Sequence, residues 1–240
     1  FYAEELAKNA PNREGAAVRA GATWDRWPFE RPWIPKIGNV FVFDHDVNQD
    51  GNNDIIYTQA VAHDQDNGLN TLAIINGPVP NPSAPDLEDW RDYVETIVTA
   101  YGDKVDAWEI GNEGGLPEQP GLTPEGYVNI LRTTCEALYK HGQGDKPILL
   151  GSPEFSTSLF EPDGLHFQHW KDVLRLIHDD NESRNYGHLP NCLDAVGVHV
   201  YGRPIFFIRH YRARPFQCRL GSRSVESWGM DHRTRRDVAG

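Results

Sequence analysis

Nine residues, Val105-Asp106-Ala107-Trp108-Glu109-Ile110-Gly111-Asn112-Glu113, constrain the fold more than any other stretch. Read as a strand, they put Trp108 and Ile110 on one face and the odd-numbered residues on the other. The first face is apolar and suits packing under helices. The second carries two carboxylates, Glu109 and Glu113, toward the C-terminal end. Strict alternation turns Asn112 away from Glu113, so a bulge or the end of the strand is needed to bring both into one site.

The rest of the chain alternates strand with helix, the pattern of a parallel α/β sheet. Between 86 and 101, Leu87, Trp90, Val94, Ile97, Val98 and Tyr101 form a helical stripe that Gly102 is placed to end. Thr123-Pro124-Glu125 opens another helix with a cap, a first-turn proline and an acid near the positive end of the dipole. That helix is expected to run to about residue 141, and a third to span about 166–178. In the segment 193–201, Ala195, Gly197, His199 and Tyr201 share one face. Val196, Val198 and Val200 share the other and are expected to pack under helices. In α/β barrels the C-terminal ends of the strands hold the chemistry, and His199 and Tyr201 fall there.

Several segments, taken in order, resemble the clan A glycoside hydrolases, of the family 5 and 39 kind. Residues 105–113 look like their acid/base strand, which ends in W-E-I-x-N-E. Ala20-Gly21-Ala22-Thr23-Trp24-Asp25-Arg26-Trp27 looks like the second strand. Trp33-Ile34-Pro35 and 38–44 resemble the W-x-x-I-x-P-x-x-G stretch that follows it. Residues 68–75, 148–153 and 193–201 look like strands three, five and six. The resemblance covers about residues 15–202. It implies a (β/α)8 TIM-type barrel, incomplete here, with about five of eight strands.

Composition permits this reading. At 240 residues, 39% hydrophobic and 24% charged, the chain matches one ordinary globular domain. No apolar run approaches the ~18 residues of a membrane span, so no membrane partner is expected. The net charge of −12 argues against a nucleic-acid partner. Cys135, Cys192 and Cys218 show no metal spacing, cannot all pair with one another and leave the redox compartment open. No signal peptide is present and the only methionine is Met230. The expectation is therefore a processed or truncated chain, secreted or cytoplasmic.

The chain changes character after Gly202. Residues 203–240 hold nine Arg, no Lys and three acids, for +6, whereas residues 1–202 carry −18. Two units are expected: a partial barrel domain over 1–202 and a basic tail over 203–240 that does not match it. The tail reads as an out-of-frame or disordered segment. A basic tail for an acidic partner is the alternative.

The resemblance implies hydrolysis of O-glycosidic bonds in β-linked poly- or oligosaccharides with retention. It gives Glu113 as general acid/base, and Asn112, His199, Tyr201, Arg26 and Trp24 as substrate-binding residues. Glu109 reads instead as an interior acid paired with a base such as Arg26. The family takes its nucleophile from strand seven, and no T-E-x-G-like strand follows Tyr201. Glu226 is the sole glutamate beyond Gly202 and the only candidate there. A catalytically dead glycan-binding remnant is the alternative function. A carbohydrate is the expected partner, no cofactor is implied, and the oligomeric state is left open. Residues 46–54 imitate a calcium loop, with Asp46, Asn48, Asp50 and Asp54 as oxygen ligands, but the twelfth position is Tyr57 and offers no bidentate acid. A solvated polar loop competes with a calcium-stabilised interaction domain as its reading.

Overall fold

The computed structural model describes residues 18–45, 55–77, 83–112, 123–151, 165–197, 213–220 and 223–230. Its centre is a parallel sheet of five strands: β1 (Trp24–Glu30), β6 (Asn70–Asn76), β7 (Ala107–Ile110), β8 (Ile148–Leu150) and β9 (Ala195–Val196). They pair in chain order, β1-β6-β7-β8-β9, and every pairing is parallel. Helices lie between consecutive strands: α1 (Tyr57–Asn67), α2 (Ala84–Tyr101), α3 (Pro124–Lys140), α4 (Leu165–His178) and the short α5 (Leu189–Cys192). Stepping to the next neighbour at every crossover curls a sheet toward a barrel.

The helix ends follow the local chemistry. Thr123 Oγ1 accepts from the Gly126 amide at 3.1 Å, and Pro124 supplies the first helical residue of α3. At the start of α2 the Asp86 carboxylate accepts from the Ser83 amide at 2.9 Å.

One sheet face is covered. Trp27, Phe29, Ala73, Ile75, Trp108, Ile110, Ile148 and Leu150 are buried there with Tyr93, Val94, Ile97, Leu131, Leu138 and Val173 from the helices. Alternation puts Arg26, Pro28, Glu30, Leu72, Ile74, Asn76, Ala107, Glu109, Leu149 and Ala195 on the opposite, inner face. Val196 departs from its expected place under a helix: it is 43% exposed. β9 has just two residues and is an edge of the described sheet, so too little helix lies over it to cover the side chain.

Polar ties cross the layers. The Trp27 indole donates to Asp64 at 2.7 Å, as does the Thr71 hydroxyl at 3.0 Å, and the Trp90 indole donates to Thr134 at 2.9 Å. A disulfide joins Cys135 on α3 to Cys192 on α5, the one pairing among the three cysteines. Asp180 sits beside it, taking Arg132 at 2.8 Å, Arg184 at 2.9 Å and the Leu189 amide at 2.9 Å. Disulfide and ion cluster together fasten the segment after α4 onto α3.

A 3-10 turn (Arg31–Trp33) and three two-stranded antiparallel pairs complete the described elements: β2 (Lys36–Ile37) with β3 (Val40–Phe41), β4 (Asp44–His45) with β5 (Ile55–Ile56), and β10 (Ala213–Leu220) with β11 (Arg223–Met230). The last lies in the segment read from sequence as a basic tail. Its strands run in register from Ala213 opposite Met230 to Leu220 opposite Arg223. Among the described residues no helix is long and apolar enough to cross a membrane.

Candidate functional site

The inner face of the sheet gathers its polar groups toward the C-terminal ends of the strands. Arg26 on β1 and Glu109 on β7 are two strands apart, with β6 between them. Arg26 is in register with Leu72, and Glu109 with Ile74, so the pair is offset by two residues across two strands. In a barrel, alternate strands supply each interior layer, and the stagger of tilted strands brings such offset residues level. The contact is bidentate: Arg26 Nε donates to Glu109 Oε2 and an Nη to Oε1, both at 2.8 Å. This is the ion pair that charge and alternation lead one to expect for Glu109. The carboxylate is buried, while the guanidinium keeps one side in solvent. A fork of this kind fixes orientation as well as charge.

Arg26 also donates to Asn112 Oδ1 at 2.9 Å. Strict alternation would put Asn112 on the helix side with Ile110. Gly111 breaks the alternation, adopting φ +79°, a left-handed conformation that a residue with a Cβ rarely takes. The same residue is packed from both sides. A Cβ on it would meet the Tyr127 hydroxyl at 2.6 Å, and a Cβ on Gly151 would lie 1.9 Å from the Gly111 carbonyl oxygen. The Tyr127 hydroxyl donates to the Ile110 carbonyl at 3.1 Å, which holds the strand end where it turns. Burial pushes the Tyr127 phenol well above its ordinary range, so it remains a neutral donor.

Glu30 and Asn76 form a second group. They are in register at the ends of β1 and β6, and Asn76 Nδ2 donates to both carboxylate oxygens, at 3.0 and 3.1 Å. Burial raises the Glu30 carboxyl above its ordinary range; the Asn76 hydrogen bond and the more distant Arg26 charge only partly offset it. Sequence reasoning missed both residues. The resemblance to a second strand covers only residues 20–27, and Pro28, which cannot donate to a ladder, hides the continuation. Pro28 is tolerated here because β1 is an edge of the described sheet.

Asn112 and Arg26 are thus brought together. Trp24 lies elsewhere, at the N-terminal start of β1 and 49% exposed. Glu113, His199 and Tyr201 lie outside the described residues, as do Asp46, Asn48, Asp50 and Asp54 of the acidic loop. Glu226 is in β11 opposite Gln217, in the antiparallel pair and not in the parallel sheet. No cluster of His, Cys, Asp and Glu among the described residues could hold a metal ion. A cleft of about 410 Å³ opens on the outer, helical side and is lined by Arg91, Glu95, Glu136, Lys140, Arg184 and Asn185. Its charges are paired with one another, as in Arg91–Glu136 at 3.0 Å and Lys140–Glu95 at 2.8 Å. It reads as a wet surface seam between α2 and α3.

No family model and no curated protein matches this chain. Among solved structures it is similar to the monomer of a mutant hyperthermophilic β-glucosidase, with a TM-score of 0.50 and 12% identity over 92% of this chain and 59% of that one. It is similar also to the AHE enzyme from Alicyclobacillus herbarius, with a TM-score of 0.50 and 12% identity over 80% and 54% of the two chains. A family 39 glycoside hydrolase from the gut symbiont Bacteroides cellulosilyticus WH2 matches more loosely, with a TM-score of 0.41 and 18% identity over 60% and 29%. The chain therefore spans little more than half the length of the first two. At these identities the likeness is one of fold: five parallel strands and their helices form part of a TIM barrel, as in glycoside hydrolases.

Proposed function

We propose that this chain carries the acid/base side of a retaining glycoside hydrolase site acting on β-linked oligo- or polysaccharides. One observation carries the reading: the Arg26–Glu109–Asn112 network on the inner sheet face, with Asn112 turned inward by Gly111. The residue after Asn112 is Glu113, the proposed general acid. Protonated Glu113 donates to the leaving oxygen as the glycosidic bond breaks, then takes a proton from the water that releases the sugar. Arg26 and Glu109 act as positioning residues, fixing Asn112 so that its amide can meet a sugar hydroxyl. His199 and Tyr201 supply further sugar contacts.

A retaining route also needs a second carboxylate ~5–5.5 Å away as nucleophile. Glu226 is the candidate from the segment beyond Gly202. General acid catalysis alone typically contributes about 10²–10⁴-fold, so without that partner turnover is slow and binding persists.

The test is hydrolysis of an aryl β-glycoside by the chain, by Glu113→Gln and by Glu226→Gln, with cellooligosaccharide binding measured alongside. Turnover lost in both variants supports the two-carboxylate reading. Slow turnover lost only with Glu113→Gln assigns the acid and rejects Glu226. Binding with no turnover in any version rejects catalysis and leaves a glycan-binding chain.

A further inference from the structure

Glu30 is the one inner-face carboxylate that the network around Arg26 leaves without a salt bridge. Glu109 takes the guanidinium fork, and among the described residues no Lys, Arg or His nitrogen pairs with Glu30. Its setting is nevertheless rigid. The Tyr57 hydroxyl donates to the Pro28 carbonyl at 3.0 Å and lies 3.3 Å from the Glu30 amide. The Tyr93 hydroxyl donates to the Phe29 carbonyl at 2.7 Å. Two buried tyrosines thus hold the three residues that end β1. Asn76 bridges both carboxylate oxygens from one side. Each oxygen keeps further acceptor capacity, at the C-terminal end of the strand on the sheet's inner face.

A half-buried carboxylate held this firmly, bridged by Asn76 and without a salt bridge among the described residues, keeps acceptor capacity for further donors. We propose that Glu30, oriented by Asn76, is a specificity-determining residue that accepts hydrogen bonds from hydroxyl groups of the bound sugar. This rests on the glycan reading above and adds a residue to it. With its bridged edge occupied, Glu30 takes separate hydroxyl donors on its two oxygens and does not suit a guanidinium fork.

The proposal makes binding depend on pH. Hydroxyl donors favour the charged carboxylate, and burial has raised the pKa of Glu30. Affinity for a neutral sugar should fall as pH is lowered through that raised pKa. The other groups facing this carboxylate are the Arg26 guanidinium and the phenols of Tyr57 and Tyr93, both of which burial raises.

The experiment is calorimetric titration of the full chain, Glu30→Gln and Asn76→Ala with cellooligosaccharide and xylooligosaccharide probes at pH 7 and pH 5. Glu30→Gln preserves shape and removes charge. It should bind about tenfold more weakly at pH 7 and lose the acid-side fall in affinity seen in the parent. Asn76→Ala should weaken binding while keeping a pH dependence. If Glu30→Gln binds as the parent does at both pH values, this assignment is wrong and the glycan reading stands. If no version binds either probe, both are overturned.

Discussion

The side chain of Arg26 is 37% exposed and that of Glu109 only 3%, and this asymmetry decides what removing either one costs. Arg26→Met leaves a buried carboxylate with no counter-charge, a change worth about 3–5 kcal/mol at its upper end and less where water reaches the vacated space. Glu109→Gln in the same background should recover most of it. Urea unfolding of Arg26→Met with and without Glu109→Gln checks this, and no recovery would contradict the buried-charge account. Gly111→Ala asks for φ +79° with a Cβ, about 1–2 kcal/mol, and drives that Cβ into the Tyr127 hydroxyl. Melting should drop sharply, and Tyr127→Phe in the same chain should restore part of it. The Glu109–Arg26 pair was legible in the sequence because alternation and charge both pointed to it. Glu30 and Asn76 were not, because Pro28 imitates the end of a strand and only the edge position of β1 permits it.

At the scale of elements, the strand at 107–110 and the helices α2, α3 and α4 could be read from alternation, periodicity and caps, and the strands at 70–76 and 148–150 only from family resemblance. α1 gives a weaker signal. Its buried stripe is Tyr57, Ala60, Val61 and Asp64, and a carboxylate in the stripe blurs the apolar pattern. Nor could spacing find the Cys135–Cys192 bridge, which spans 57 residues and depends on α5 docking against α3. Closing a loop of that length restricts the unfolded chain by about 4 kcal/mol in the entropy model, so reduction should lower the melting temperature by many degrees. A melt unchanged by reductant would mean that the bridge contributes nothing in solution. The neighbouring Asp180 gives a second handle. Burial would raise its carboxyl, but the Leu189 amide, Arg132 and Arg184 outweigh this and hold it below the ordinary range. A depressed folded-state pKa stabilises the protein above the unfolded value of about 3.9, and that benefit fades as pH falls through the folded value. Asp180→Asn should therefore melt lower than the parent at pH 7, and the gap should close toward pH 3.

The whole molecule carries a net charge of −12, and exposed apolar side chains lie at an edge of the described sheet. At one end of the described sheet, β1 presents Pro28, which cannot donate to an incoming strand. The other end is β9, two residues long, with Val196 exposed on it and Leu174 of α4 also exposed. A short edge pairs weakly, but an apolar side chain beside it favours contact with a second copy. Like charge opposes that contact over about 10 Å at 0.1 M salt and much less at higher ionic strength. The balance predicts reversible self-association that rises with protein concentration and with salt. Val196→Lys should suppress it by placing a charge on the flank while leaving the melt unchanged. Sedimentation velocity at about 0.1 and about 1 M salt is the measurement, since the screening length shrinks from ~10 to ~3 Å between them. A monodisperse monomer under all conditions would show that the β9 flank is covered in solution, and an association unaffected by Val196→Lys would place the contact elsewhere on the molecule.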